Sequence, residues 1–113
     1  MKIVYIAGPY RAKTAWEIEK NIQRARFRGA EVAAMGAMPI IPHTNTAHFD
    51  GIQDDLFWID GTLELMRRCD AVLLCGQWLA SVGTMGEIEE AKRLGIPVFR
   101  STKGLTDWLR GDQ

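Results

Sequence analysis

Ala71-Val72-Leu73-Leu74-Cys75 is an unbroken apolar run, and the segments after it decide the fold. Gly76 to Gly83 reads as a loop, Thr84 to Leu94 as a helix with Gly95 as its C-cap signal, and Pro97 to Arg100 as a short strand. A continuous apolar run between turn signals marks a strand covered on both faces. Strand, helix and strand in this order form a parallel unit with a right-handed crossover.

The same alternation extends toward the N-terminus. Ile3 to Ala7 is a second continuous apolar run, stopped by Gly8-Pro9. Thr14 stands as an N-cap with Glu17 three residues on, a capping-box spacing. The next helix runs to about Met35, and Gly36 closes it. Its buried stripe is Ile18, Ile22, Ala25, Gly29, Val32 and Ala33. Met38 to Ile41 is a short strand ended by Pro42, residues 43–53 are polar and without period, and Asp54 to Arg68 is a helix weakened by Gly61. Leu105 to Arg110 closes the chain as a short helix. The expected fold is a small doubly wound α/β domain, Rossmann- or flavodoxin-like, spanning residues 1–113. It has four parallel strands in order 2-1-3-4 and helices on both faces. Ligands of such sheets sit at the carboxyl ends of the strands where the winding reverses, here between strands 1 and 3.

Composition narrows the function classes. Fourteen basic residues balance fourteen acidic ones in 113 residues, which excludes a general electrostatic footprint for a nucleic acid polymer. An apolar content of 47% is globular. No apolar run reaches the ~18 residues of a membrane helix, and the strand-like N-terminus lacks a secretory pattern, so a cytoplasmic protein is expected. Cys69 and Cys75 bracket a strand about 20 Å long, too far apart for an internal disulfide, and read as half-buried thiols.

Three segments converge on the switch point. Ser81-Val82-Gly83-Thr84-Met85-Gly86-Glu87 joins a strand to a helix, and small residues with free helix-start N–H groups suit a phosphate. Glu87 shares a helix flank with Ala91 and Leu94, so its carboxylate is placed to attack a sugar carbon or to stabilise a cation. A first-turn glutamate serving the helix dipole has the same address. Gly8-Pro9-Tyr10-Arg11-Ala12-Lys13-Thr14 fails as a P-loop, because Ala12 occupies the glycine position before the lysine. It still sets Arg11 where a guanidinium can grip phosphate, although loop arginines are commonly just exposed. His43, directly after Pro42, is placed for substrate contact, and His48 for the loop surface. His43, His48, Asp50, Asp54 and Asp55 match no standard ligand spacing, so no metal and no cofactor is expected. Asp60 lies among Phe57, Trp58 and Ile59, where burial would make it a proton donor; a solvated helix-face acid is the plainer reading. Asp70 opens strand 3 at the end of the sheet remote from chemistry.

Taken together, Tyr5-Ile6-Ala7-Gly8, Pro42-His43, Cys69-Asp70-Ala71-Val72-Leu73-Leu74 and Ser81-x-Gly83-x-x-x-Glu87-x-x-x-Ala91 resemble the nucleoside 2-deoxyribosyltransferase superfamily over residues 2 to 100. The similarity is strongest to its short phage and bacterial members. The resemblance implies that Glu87 is a nucleophile forming a covalent deoxyribosyl intermediate and that Tyr5 lies near the reacting sugar. It also implies that Arg11 helps hold a 5′-phosphate. Ser81 stands where phosphate-using hydrolases carry serine and nucleoside-using transferases carry aspartate. A carboxylate would repel a phosphate that a hydroxyl and N–H groups bind. One departure is Thr62, where the family has an aspartate; Asp60 is the nearest acid, but two residues turn a helix by about 200°.

The leading expectation is cleavage or transfer at the N-glycosidic bond of a (deoxy)nucleoside 5′-monophosphate. Glu87 attacks, Asp60 or water protonates the base, and Tyr5 stands beside the sugar. Gly8, Pro9, Tyr10, Arg11, His43, Ser81, Gly83 and Thr84 line the substrate and its phosphate. A second reading is similarity to the cytokinin-activating phosphoribohydrolases, whose Gly-Thr-x-x-Glu matches Gly83 to Glu87 while Ala80-Ser81-Val82 replaces their Pro-Gly-Gly. A third is a non-catalytic nucleotide sensor. Trp16, Phe57, Trp58 and Trp78 border the expected cleft, and interface enrichment of such aromatics points to a homodimer or larger homo-oligomer. The same residues could instead fill space between helices and sheet, above all Trp16.

Overall fold

The computed structural model describes residues 1–111. β1 (Ile3–Ala7), β2 (Met38–Ile40), β3 (Ala71–Leu74) and β4 (Val98–Phe99) form one all-parallel sheet in the order β2-β1-β3-β4. Tyr5 pairs with Ile40 on one side and Val72 on the other.

Strand alternation divides the interior into two layers. Val4, Ile6, Ala71, Leu73 and Cys75 point to one face, where α1 (Ala15–Ala34) and α5 (Thr102–Gly111) cover them with Ala25, Val32 and Leu105. Tyr5, Ala7, Val72 and Leu74 point to the other face, under Met66 of α3 (Asp55–Arg67) and Ile88 and Ala91 of α4 (Val82–Leu94). The period of two along each strand thus supplies both layers from the same few residues. Cys69 and Cys75 are free thiols buried on opposite faces. Gly8 brings the end of β1 against β3: a Cβ there would stand 2.5 Å from Cys75 Sγ and 2.6 Å from its carbonyl oxygen. Asp70 accepts the Ile3 N–H at 2.8 Å and pins the opposite end of the same strand pair.

Helix boundaries follow their caps. Thr14 accepts from the Glu17 N–H at 3.1 Å, and its hydroxyl also donates to the Glu17 carboxylate. The return bond of a full capping box is replaced by that side-chain contact. Asp54 caps α3 through the Phe57 N–H, and Gly95, at φ 74°, ends α4. Ala33 is exposed, contrary to the expected stripe, and the buried Asn21 joins it instead.

The short strands end earlier than expected, β2 at Ile40 and β4 at Phe99, a 3-10 turn at Trp78–Ala80 interrupts the loop after β3, and three helices differ at their starts. Within the segment read as loop, α2 (Pro42–Asn45) forms one turn, with Pro42 at its first position and the Ile41 carbonyl accepting from Thr44 and Asn45. α4 starts at Val82, ahead of Thr84, because Ser81 accepts from the Thr84 N–H. α5 starts at Thr102, ahead of Leu105, because Ser101 accepts from the Gly104 N–H at 3.1 Å. In each case a proline or serine overlooked as a start signal nucleates the turn. Among the described residues no helix is long and apolar enough to cross a membrane.

Candidate active site at the carboxyl end of the sheet

The polar centre lies between β1 and α4. Tyr5 has no exposed surface, and its phenol donates a short hydrogen bond to the Glu87 carboxylate, 82 residues away in sequence. The side-chain register of β1 aims Tyr5 into the α3–α4 layer, and the first turns of α4 carry Glu87 down onto it. Glu87 keeps some exposure as a residue, yet burial pushes its carboxyl up to about 7, against a lowering by the Tyr5 bond. Burial, and then the neighbouring Glu87 charge, raises the Tyr5 phenol well above its ordinary range, so it stays a donor. Thr62 of α3 reaches the same phenol and gives its own hydroxyl proton to the Ile59 carbonyl at 3.1 Å.

Asp60 does not join this centre. It is exposed on α3, and the burial expected from its aromatic neighbours is absent, since Phe57 and Ile59 are themselves about half exposed. Two residues of helix turn Asp60 away from the side on which Thr62 meets Tyr5.

The strand-to-helix segment gathers around Ser81. Its hydroxyl oxygen accepts from the Thr84 N–H at 3.2 Å and from the Thr84 hydroxyl at 2.8 Å, which leaves the Ser81 proton to point elsewhere. Thr84 is buried and bonded inward to Ser81, not presented as a ligand contact. Gly83 is exposed in the first turn of α4, where its N–H and that of Val82 have no intrahelical acceptor. Those donors and the helix dipole suit an anion.

The loop after β1 is tied down from several sides. His43 is buried, and its Nε2 donates to the Gly8 carbonyl at 2.9 Å. Burial lowers its pKa, so it is a neutral prop beneath Gly8-Pro9. Its Nδ1 has no partner among the described residues. The buried Asn21 donates to the Tyr10 carbonyl at 3.1 Å. The Tyr10 phenol donates to Asp50 at 2.9 Å and accepts from the His48 N–H at 3.2 Å. Arg11 is exposed and pairs with Asp55 at 2.5 Å and Asp50 at 3.6 Å, so two carboxylates occupy the guanidinium expected to hold phosphate. His48 is exposed, as expected.

Asn21 escaped the sequence reading, although a polar residue beside the buried helix stripe was a usable signal. Asp50 and Asp55 were weighed there only as metal ligands and Thr62 only as a departure from the family pattern, because their partners Tyr10, Arg11 and Tyr5 are distant in sequence.

A family profile described as Domain of unknown function (DUF7768) matches residues 2–101. The chain belongs to the DUF7768 family. No curated protein matches this DUF7768 chain. A solved structure does: the 2-deoxyribosyltransferase of the psychrotolerant bacterium Bacillus psychrosaccharolyticus, described as a biocatalyst for nucleoside synthesis. It aligns with a TM-score of 0.64 at 18% identity, covering 85% of this chain and 69% of that one. The DUF7768 chain therefore has a deoxyribosyltransferase-like fold, in agreement with its sheet order.

Proposed function

We propose that this protein cleaves or transfers at the N-glycosidic bond of a (deoxy)nucleoside 5′-monophosphate, with Glu87 as nucleophile. The observation that carries the reading is the enclosed Tyr5–Glu87 pair at the carboxyl end of the sheet. A carboxyl raised to about 7 is poised between proton and nucleophile near neutral pH. Tyr5 fixes one carboxylate oxygen, which leaves the other to attack the anomeric carbon. The bond from that carbon to the base then breaks, and the base takes a proton. With Asp60 turned outward, water is the proton source in this reading. The sugar is released when water, or a second base, displaces Glu87.

The phosphate is assigned to the Ser81 hydroxyl and the Val82 and Gly83 N–H groups. Arg11 joins them by exchanging Asp55 and Asp50 for the ligand. Exposed apolar residues rise around this end of the molecule: Ile52 and Leu56 before and at the start of α3, Leu79 in the short 3-10 turn Trp78–Ala80, and Val82 at the start of α4. They are assigned to contact with a second copy, which would close the site against water. Light scattering at micromolar concentration tests this, and a mass at the 12.7 kDa monomer refutes it.

Incubation with a panel of deoxynucleoside and nucleoside 5′-monophosphates, followed by chromatography for free base, tests the chemistry. Base release that Glu87→Gln abolishes is expected. Wild-type turnover by that variant would remove Glu87 from the mechanism. A second reading, a nucleotide sensor, draws on Thr62 in place of an acid beside Tyr5 and on the engaged Arg11. A thermal shift by nucleotide without base release would favour it.

A further inference from the structure

The opposite face of the sheet carries a shallow concavity of about 720 Å³, set between α1 and the end of β3. We propose that it is an anion site that takes a phosphate group. Two arginines that share a face of α1, Arg24 and Arg28, line it with a single carboxylate, Glu31, while Arg26 borders it from a position turned about 200° from Arg24. Arg24 and Arg28 are one helical turn apart on α1, and both line the concavity together with the Cys75 thiol. Gly76, at φ 62°, turns the chain over Arg24, whose Cδ lies 3.9 Å from the site of a Gly76 Cβ.

The Arg24 guanidinium is held in place by a neutral group. Its Nη1 donates to the Asn21 side-chain oxygen at 3.2 Å, and the buried Asn21 is anchored at its other end on the Tyr10 carbonyl. Arg24 has no carboxylate partner among the described residues. Arg28 gives one N–H to Glu31 at 3.0 Å and keeps others. A pre-oriented planar fork with unspent donors fits phosphate bidentately. The buried Cys75 thiol, itself held protonated by burial, adds no opposing charge. Phe27, 69% exposed on the rim, offers a face for a ring attached to that phosphate.

The test is an amide chemical-shift titration of the full chain, first with inorganic phosphate and then with a nucleoside 5′-monophosphate, each against sodium chloride of equal ionic strength. Saturable shifts at Arg24, Phe27 and Gly76 are expected. Arg24→Gln and Arg28→Gln should each weaken binding about ten-fold or more, and Arg24→Lys should fail to restore it fully. Phosphate binding should survive in Glu87→Gln and remain dependent on Arg24, which separates this site from the proposed active site. Tighter binding of the nucleotide, lost in Phe27→Ala, would add the base to the ligand. Shifts equal to those with chloride, shifts confined to Val82 and Gly83, or undiminished affinity in the Arg24→Gln variant would overturn the proposal.

Discussion

The two faces of the sheet are built from the same strands and differ in one respect. On the α1–α5 face the strand side chains Val4, Ile6, Ala71 and Leu73 are fully buried in an apolar cluster. On the α3–α4 face Tyr5 carries a phenol into an equally closed layer and needs a partner, which Glu87 supplies. An interior hydroxyl without a hydrogen bond costs about 1–3 kcal/mol. The pair satisfies the phenol but leaves a carboxyl that resists ionising. One face is organised for cohesion, and the other accepts strain at a single point where chemistry is proposed.

The largest effect should come from breaking that point. Glu87→Ala is expected to remove base release by at least about three orders of magnitude, or roughly 4 kcal/mol, measured as initial rate at saturating nucleotide. The same loss from a substitution on the α1–α5 face, with the fold intact, would make the contrast meaningless.

Cohesion is tested next. Leu73→Ala should destabilise by about 2–5 kcal/mol in urea, since Leu73 is fully buried in an apolar cluster. A cost under about 1 kcal/mol would show that this face is not close-packed.

The raised Glu87 carboxyl then predicts opposite pH trends. Its folded value of about 7 exceeds its ordinary 4.5. The native state therefore holds the proton that the unfolded chain releases, and this contribution to stability is present below about 4.5 and lost as pH rises to about 7. The span is at most about 3–4 kcal/mol. Glu87→Gln should flatten the dependence of Tm between those limits. The rate of base release should instead rise with pH through about 7, as the nucleophile ionises. Tyr5→Phe should move that limb upward by about one pH unit, because the bond that favours the carboxylate is gone.

The smallest effect belongs to the rim. Asp55→Asn frees Arg11 from an exposed pair and should change stability by less than about 1 kcal/mol. It should lower KM for a phosphorylated substrate more than for the nucleoside. Equal changes for both would detach Arg11 from phosphate binding.

The chain order of strands and helices, the sheet order, and the inward flank for Glu87 were all readable from periodicity and turn residues. Such patterns depend on neighbours within a few positions. A helix start was readable where the cap stood out, as at Thr14, and the α3 start was read one residue early, at its cap Asp54. Starts were missed at Ser81 and Ser101, where glycine-containing first turns obscured the period.

Tertiary packing decided the rest. The exposure of Asp60 and the inward place of Thr62 depend on how α3 is rotated against the sheet. The occupation of Arg11 by Asp50 and Asp55, the burial of His43 under Gly8, and the bond between Tyr5 and Glu87 all join segments far apart in the chain. A local pattern states which face of an element is apolar. It does not state which polar group across the interface will stand within hydrogen-bonding reach, because that distance is set by the packed volumes of every side chain between them.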